Sequence, residues 1–257
     1  MRIVIKLGTS TLAHKTGRIN ILRVEELCKV MSDLKNAGHE IILVSSGAIG
    51  MGVGKLSLQG RPTDIPTKQA AAAVGQCELM YIYDKLFSEY NHTVAQILIT
   101  DDDIANTDRR QNFENTMRRL LELGVIPILN ENDSIATNEI VIGDNDTLGA
   151  IVATTVQADL LIILSDINGL YTADPHKNPG AVLLDRVEKI TPEIEQMTGG
   201  AGSALGTGGM ATKLKAAKIA VAAGTDMVIA NGNNPKSLYD IVEGKNVGTR
   251  FFAEKVK

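Results

Sequence analysis

Cysteine is scarce in this chain, with Cys28 and Cys77 far apart and no C-x-x-C spacing. That excludes a disulfide framework and points to reduced thiols in a cytosolic setting. Histidine is scarce as well. His14, His39, His92 and His176 are scattered without paired ligand spacing, and no serine sits in a G-x-S-x-G turn. These patterns argue against a zinc enzyme and a serine hydrolase. No apolar run approaches a membrane span, and Met1–Lys6 is too short an apolar start for a signal peptide. The reading is therefore a cytoplasmic protein. An excess of one charge is missing too. With 26 basic against 30 acidic residues, the net charge is −4, which gives no general attraction for nucleic acid or an anionic membrane. Anionic small substrates stay open wherever lysines are placed locally. Internal repeats and low-complexity linkers are also lacking.

What is present is a chain of 257 residues, 44% hydrophobic, enough for one large α/β domain or two small ones. Ile3–Ile5 is a short β-branched run stopped by Gly8. Asn20 can cap a helix whose Ile21, Val24, Cys28 and Met31 recur on one face, with Gly38 to end it. Ile41–Val44 reads as a buried strand, Lys68–Tyr90 as a long helix and Val94–Ile99 as a strand. Phe113, Met117, Leu120 and Leu121 mark a helix closed by Gly124. Val125–Leu129 is a strand, Leu148–Val156 a helix and Leu160–Leu164 another apolar strand. Met210–Ala223 is a helix, Met227–Ala230 a strand and Ser237–Val242 a short helix. Strands apolar on both faces, alternating with helices, predict a mostly parallel sheet covered on both sides.

In such a sheet, ligands bind beyond the carboxyl ends of the strands. The segments there are Lys6–Ser10, Ser45–Ala48, Asn130–Asp133, Ser165-Asp166 and Asn231–Asn233, all polar or small. Gly199–Lys213 stands out because six of its first eleven residues are glycine and a helix follows directly. Glycines let backbone N–H groups approach an anion, and the helix N-terminus adds partial positive charge. Lys213, in the first turn, can reach the same anion. The alternative is a surface loop, and the run does not match the P-loop pattern. Lys6 ends the first strand as either a solvated charge or a ligand group beside Gly8, Thr9 and Ser10. Asp144 and Asp146 precede a helix. They can be plain N-caps, or they can recognise an ammonium, orient lysines or meet a metal.

Together these motifs resemble the amino-acid kinase family. The matching pieces are Ile3–Ser10, Val44–Ile49, Asn130–Asp133, Val141–Asp146, Gly169–Pro175 and Gly206–Lys213, in the family's order and across nearly the whole chain. The two acidic motifs resemble most its branch that phosphorylates free glutamate on the γ-carboxylate with ATP, the first step of proline synthesis. The resemblance implies a three-layer αβα sandwich around a mainly parallel sheet. It implies one kinase domain over 1–257, with a glutamate-binding lobe over about 1–158 and an ATP-binding lobe over about 159–257. By the same resemblance Lys6 and Lys213 contact the transferred phosphoryl group and Asp146 orients both lysines. Ser46, Asp133 and Asn145 bind glutamate. Lys6, Gly8, Ser165, Asp166, Thr207, Gly208, Gly209, Met210, Ala211, Thr212 and Lys213 bind ATP, and Mg²⁺ bridges its phosphates without an assigned protein ligand.

Many members of that branch carry a further C-terminal domain of the PUA type, and this chain, ending at Lys257, is expected to lack it. Inhibition by proline and a homo-oligomer, dimer or tetramer, are further expectations. Three rivals are a UMP kinase, an N-acetylglutamate kinase and a non-catalytic nucleotide sensor on the same fold. The first needs basic residues for a second phosphate, and the loop Ser46–Gly54 has none, although Lys55 and Arg61 lie near. The second has no free ammonium for acids to recognise. Retention of both Lys6 and Lys213 argues against the third.

Overall fold

The apolar runs assemble into one eight-stranded sheet in the order β3-β4-β2-β1-β5-β7-β8-β6. The structure is a computed structural model describing residues 1–14, 18–136, 144–175, 177–197 and 209–253. The first half of the chain gives β1 (Arg2–Leu7), α1 (Thr9–Leu12), α2 (Ile21–Asn36), β2 (Glu40–Ser45), α3 (Ala48–Lys55), α4 (Ile65–Ser88), β3 (Val94–Ile99), α5 (Asp101–Ala105), α6 (Thr107–Glu122) and β4 (Ile126–Glu131). The second half gives α7 (Asn145–Thr155), β5 (Leu160–Ser165), β6 (Arg186–Val187), α8 (Pro192–Met197), α9 (Met210–Ala222), β7 (Asp226–Asn231), α10 (Ser237–Val242) and β8 (Thr249–Phe251).

Side chains alternate across a strand, so β1 feeds two cores. Ile3, Ile5 and Leu7 pack with Leu27 of α2, Leu79 and Phe87 of α4 and Leu238 of α10. Val4 packs on the opposite face with Met117 of α6, Leu148 and Val152 of α7 and Leu214 of α9. Helix layers thus cover both sheet faces, as an αβα sandwich requires. Lys6 shares the face of Val4 and is aimed at the layer that holds α7 and α9. The strand order has a second consequence. β1 pairs in parallel with β2 on one side and β5 on the other, so strands β1–β4 and β5–β8 occupy opposite halves of the sheet. The crevice at such a switch point is where an open α/β sheet receives ligands.

The structure departs from the sequence reading at several elements. Ser46–Gly54, read as a loop, runs from Ala48 onward as part of the helix α3. Its sequence AIGMGVGK is poor in helix-forming signal, and contact with α4 supplies what propensity does not. A Cβ on Gly52 would lie 1.8 Å from Ala71 O, and one on Gly75 1.8 Å from Ala48 O, so the two helices meet backbone to backbone. The long helix begins at Ile65 rather than Lys68, capped by Asp64 Oδ1 accepting from Thr67 N at 2.9 Å. The short β6, β8, α1, α5 and α8 carried no readable period. β8 is also the exception to parallel pairing, running antiparallel to β7.

Candidate active site

Two lysines meet on one carboxylate at the carboxyl edge of β1. Lys6 Nζ lies 2.6 Å from Asp146 Oδ1, and Lys213 Nζ lies 3.1 Å from Asp146 Oδ2. All three are buried, with Lys6 at 6%, Lys213 at 3% and Asp146 at 0% exposure. β1 brings Lys6, the first turn of α7 brings Asp146, and the first turn of α9 brings Lys213, so the junction joins three elements far apart in sequence. Thr212 adds a hydroxyl 3.0 Å from Asp146 Oδ2 and 2.8 Å from Gly209 O, its one proton serving either acceptor. Burial alone would raise the Asp146 pKa, but the charges and hydrogen bonds of Lys6 and Lys213 outweigh it and hold the carboxyl below its usual range. Lys6 is therefore no solvated charge. The paired acids also divide their work. Asp144 is the N-cap of α7, its Oδ1 accepting from Thr147 N at 2.8 Å, while Asp146 turns inward to the lysines.

Backbone hydrogen bonds tie the neighbouring strand ends to this junction. Gly8 N donates to Leu164 O at 3.2 Å and Ser46 N donates to Leu7 O at 3.1 Å. Gly47 follows at φ 100°, a left-handed conformation that lets the chain turn from β2 directly into α3. Ser165 Oγ donates to Asp166 Oδ1 at 3.0 Å at the end of β5, and a cavity of about 580 Å³ lies beside Asp166, Thr9, Ser10, Gly47 and Asn233. Gly209 caps α9 without a side chain, and Met210, Ala211, Thr212 and Lys213 form its first turn. Thr207 and Gly208, with Gly199–Gly206 and Val141–Gly143, lie outside the described residues.

The other side of the edge has a different chemistry. Asn145 Nδ2 donates to Ser46 Oγ at 2.8 Å and to Asn130 Oδ1 at 3.1 Å, and Asn130 Nδ2 donates to Gln76 Oε1 at 2.9 Å. Ser45 Oγ lies 2.8 Å from the hydroxyl of the fully buried Tyr83. Beyond this polar chain, Glu131 and Asp133 line a cavity of about 400 Å³ with Gln76, Asn132, Ser134 and Ala48. Burial first, and then the charges of Asp133, Asp101 and Asp144, push the Glu131 pKa up to about 7. Burial also raises Asp133, with Arg61 acting against it. Lys6, Asp146 and Lys213 line neither cavity.

Of the residues expected from sequence, Lys6, Asp146 and Lys213 come together, as do Ser46 and Asn145. Asp133 lies in the wall of the smaller cavity. Sequence reasoning missed the individual parts of Asn130 and Glu131, although both sit within the motif it singled out. It missed Gln76 entirely, because a glutamine inside an alanine-rich helix carries no signal of its own. Among the described residues no group of three His, Cys, Asp or Glu side chains gathers as a metal site, and no helix is long and apolar enough to cross a membrane.

The sequence profile of the amino acid kinase family matches residues 1–231. A glutamate 5-kinase of Clostridium perfringens is 56% identical over 258 residues, covering 99% of this chain and 96% of that protein. A glutamate 5-kinase of Clostridium tetani is 54% identical over 253 residues, covering 98% and 95%. Among solved structures, the carbamate kinase of Giardia lamblia bound to AMP-PNP superposes with a TM-score of 0.71 at 20% identity, covering 98% of each chain. That likeness speaks for the fold alone, whereas the curated relatives match in sequence from end to end. The chain belongs to the amino acid kinase family, among the relatives of its glutamate 5-kinases.

Proposed function

We propose that this protein transfers the γ-phosphoryl group of ATP to the γ-carboxylate of L-glutamate, giving L-glutamyl 5-phosphate and ADP, the first step of proline synthesis. The observation that carries the reading is the pair of lysine ammoniums, Lys6 and Lys213, sharing the one buried carboxylate of Asp146. The three groups leave a net positive charge in a nearly dry setting, which suits a phosphoryl group in transfer.

The acceptor needs no general base. A glutamate side chain, with a solution pKa of about 4.3, is already ionised at neutral pH. The difficulty is repulsion between that carboxylate and a charged phosphate, so catalysis rests on positioning and charge neutralisation. Lys6 and Lys213 neutralise the phosphoryl oxygens, and Asp146 fixes the two ammoniums relative to each other. Ser46, Asn145 and Asp133 hold glutamate on the β2–β4 half of the edge, Asp133 facing its α-ammonium. Gly8, Ser165, Asp166 and the segment Thr207–Lys213 hold ATP, Gly8 at the end of β1 and Ser165 and Asp166 at the end of the neighbouring β5, so that an amino-acid lobe and a nucleotide lobe meet at the β1–β5 junction. Mg²⁺ would enter as part of the substrate Mg·ATP and neutralise phosphate charge alongside the lysines. Inhibition by proline, assembly into a dimer or tetramer and a cytoplasmic location belong to the same proposal.

Acceptors of other members of the fold, N-acetylglutamate and UMP, are not favoured, given identity above half to named glutamate 5-kinases. The test is to incubate the protein with Mg·ATP and each acceptor, trap acyl phosphate with hydroxylamine and follow ADP. Glutamate should give hydroxamate in step with ADP, reduced when proline is added. ADP without hydroxamate, or hydroxamate only from N-acetylglutamate, would refute the reading.

A further inference from the structure

Gln76 sits in the middle of α4, far in sequence from every strand end, yet it is 9% exposed and hydrogen-bonded into the site. The backbone contact of Gly75 with Ala48 and of Gly52 with Ala71 draws α4 over the edge of the sheet and delivers Gln76 to Asn130. From there the order of donors and acceptors is fixed. Asn130 gives its Nδ2 to Gln76 Oε1 at 2.9 Å, and its Oδ1 accepts from Glu131 N at 2.9 Å and from Asn145 Nδ2 at 3.1 Å. Asn145 Nδ2 also faces Ser46 Oγ at 2.8 Å and Ser45 O at 3.4 Å. With acceptors gathered around its nitrogen, the Asn145 carbonyl must point the other way. That oxygen is buried and has no hydrogen-bond partner among the described residues. A buried acceptor in that state is built to meet a donor.

We propose that Gln76 is a positioning residue: through Asn130 it sets the amide orientation of Asn145, so that Asn145 Oδ1 accepts from the α-ammonium of the acceptor substrate. This rests on the functional reading above. Gln76 lines the same cavity as Asp133, but its Oε1 is taken up by Asn130. Its Oε1 on one atom and Glu131 N on the other hold the Asn130 amide in place, and Asn130 in turn keeps the Asn145 nitrogen on Ser46. Removing the Gln76 acceptor leaves Asn130 Nδ2 buried without its partner, and the Asn130 side chain then shifts toward another acceptor, which disturbs the Asn145 amide and the acceptor it offers to the ammonium.

The test compares Gln76→Met, which removes the acceptor, with Gln76→Glu, which keeps an oxygen toward Asn130. Steady-state hydroxamate kinetics are run with glutamate and with glutarate, the same dicarboxylate without the ammonium. Gln76→Met should raise KM for glutamate about 10-fold, with kcat, KM for ATP and KM for glutarate close to wild type. Gln76→Glu should bring KM for glutamate back to within about threefold of wild type. Equal losses with glutamate and glutarate, no loss at all, or no recovery in Gln76→Glu would overturn the inference. If Gln76→Met fails to fold by circular dichroism, Gln76→Ser takes its place with the same expectations. Wild-type protein that forms no hydroxamate from glutamate would instead defeat the functional reading, and this inference with it.

Discussion

Asp146 and Glu131 are carboxylates at the same edge of one sheet, one fully buried and the other partly buried, and their environments drive them in opposite directions. For Asp146, burial is overcome by two lysine ammoniums and the pKa falls. For Glu131, burial is reinforced by Asp133, Asp101 and Asp144 and the pKa climbs to about 7. Burial does not decide the outcome alone; the neighbours supplied by the topology do. One end of the edge is rich in positive charge and suits an anion in transfer. The other end gathers carboxylates with little positive charge and suits an ammonium. Under the proposed function, a substrate carrying both charges is oriented with its ammonium toward Asp133 and its carboxylate toward the lysines.

The most severe way to break this contrast is Asp146→Asn. It leaves two buried ammoniums without their shared counter-charge, a loss of about 3–5 kcal/mol. The thermal midpoint should drop by roughly 10 °C or more, with hydroxamate formation lost. An unchanged midpoint would mean that the lysine pair does not depend on Asp146. Lys213→Ala is the next largest. Loss of one preorganised charge contact should lower kcat on the order of 10²–10³-fold, with little change in apparent glutamate affinity. Near-normal kcat in steady-state assays would remove Lys213 from the transfer step.

Glu131→Gln sharpens the contrast more gently. Because the folded pKa of Glu131 lies above its ordinary value, the folded state holds this proton more tightly, and the contribution to stability declines as pH rises from about 4.5 through about 7. Asp146 has the reverse slope, its contribution lost as pH falls below the ordinary carboxylate range. Glutamine mimics the protonated form. The variant should therefore match wild type near pH 5 and unfold roughly 2–4 °C higher near pH 8. Parallel melting curves at both pH values check this, and equal midpoints at pH 8 would contradict it.

Most of the sheet was legible because its strands are continuous apolar runs and a helix such as α2 carries a cap, a period and a closing glycine. Lys6 and Lys213 were legible because each sits where a strand ends or a helix begins, whereas the part of Asp146 came only from the family resemblance. What sequence could not give was the outcome of packing. Asp144 and Asp146 look alike in the chain, yet one caps α7 and the other is buried between lysines, a choice made by the helix phase against β1. α3 owes its form to contact with α4 rather than to its own residues. Gln76 reaches the site only through that same contact.

The division of the edge into an ammonium end and a phosphoryl end is tested most directly by measuring glutamate against glutarate in wild type and in Asp133→Ala. The account predicts that wild type prefers glutamate in kcat/KM by roughly 10–100-fold, the worth of a charged hydrogen bond. Asp133→Ala should lose most of that preference while still forming hydroxamate at a comparable kcat. A preference retained in full by Asp133→Ala, or a wild type indifferent to the ammonium, would contradict it.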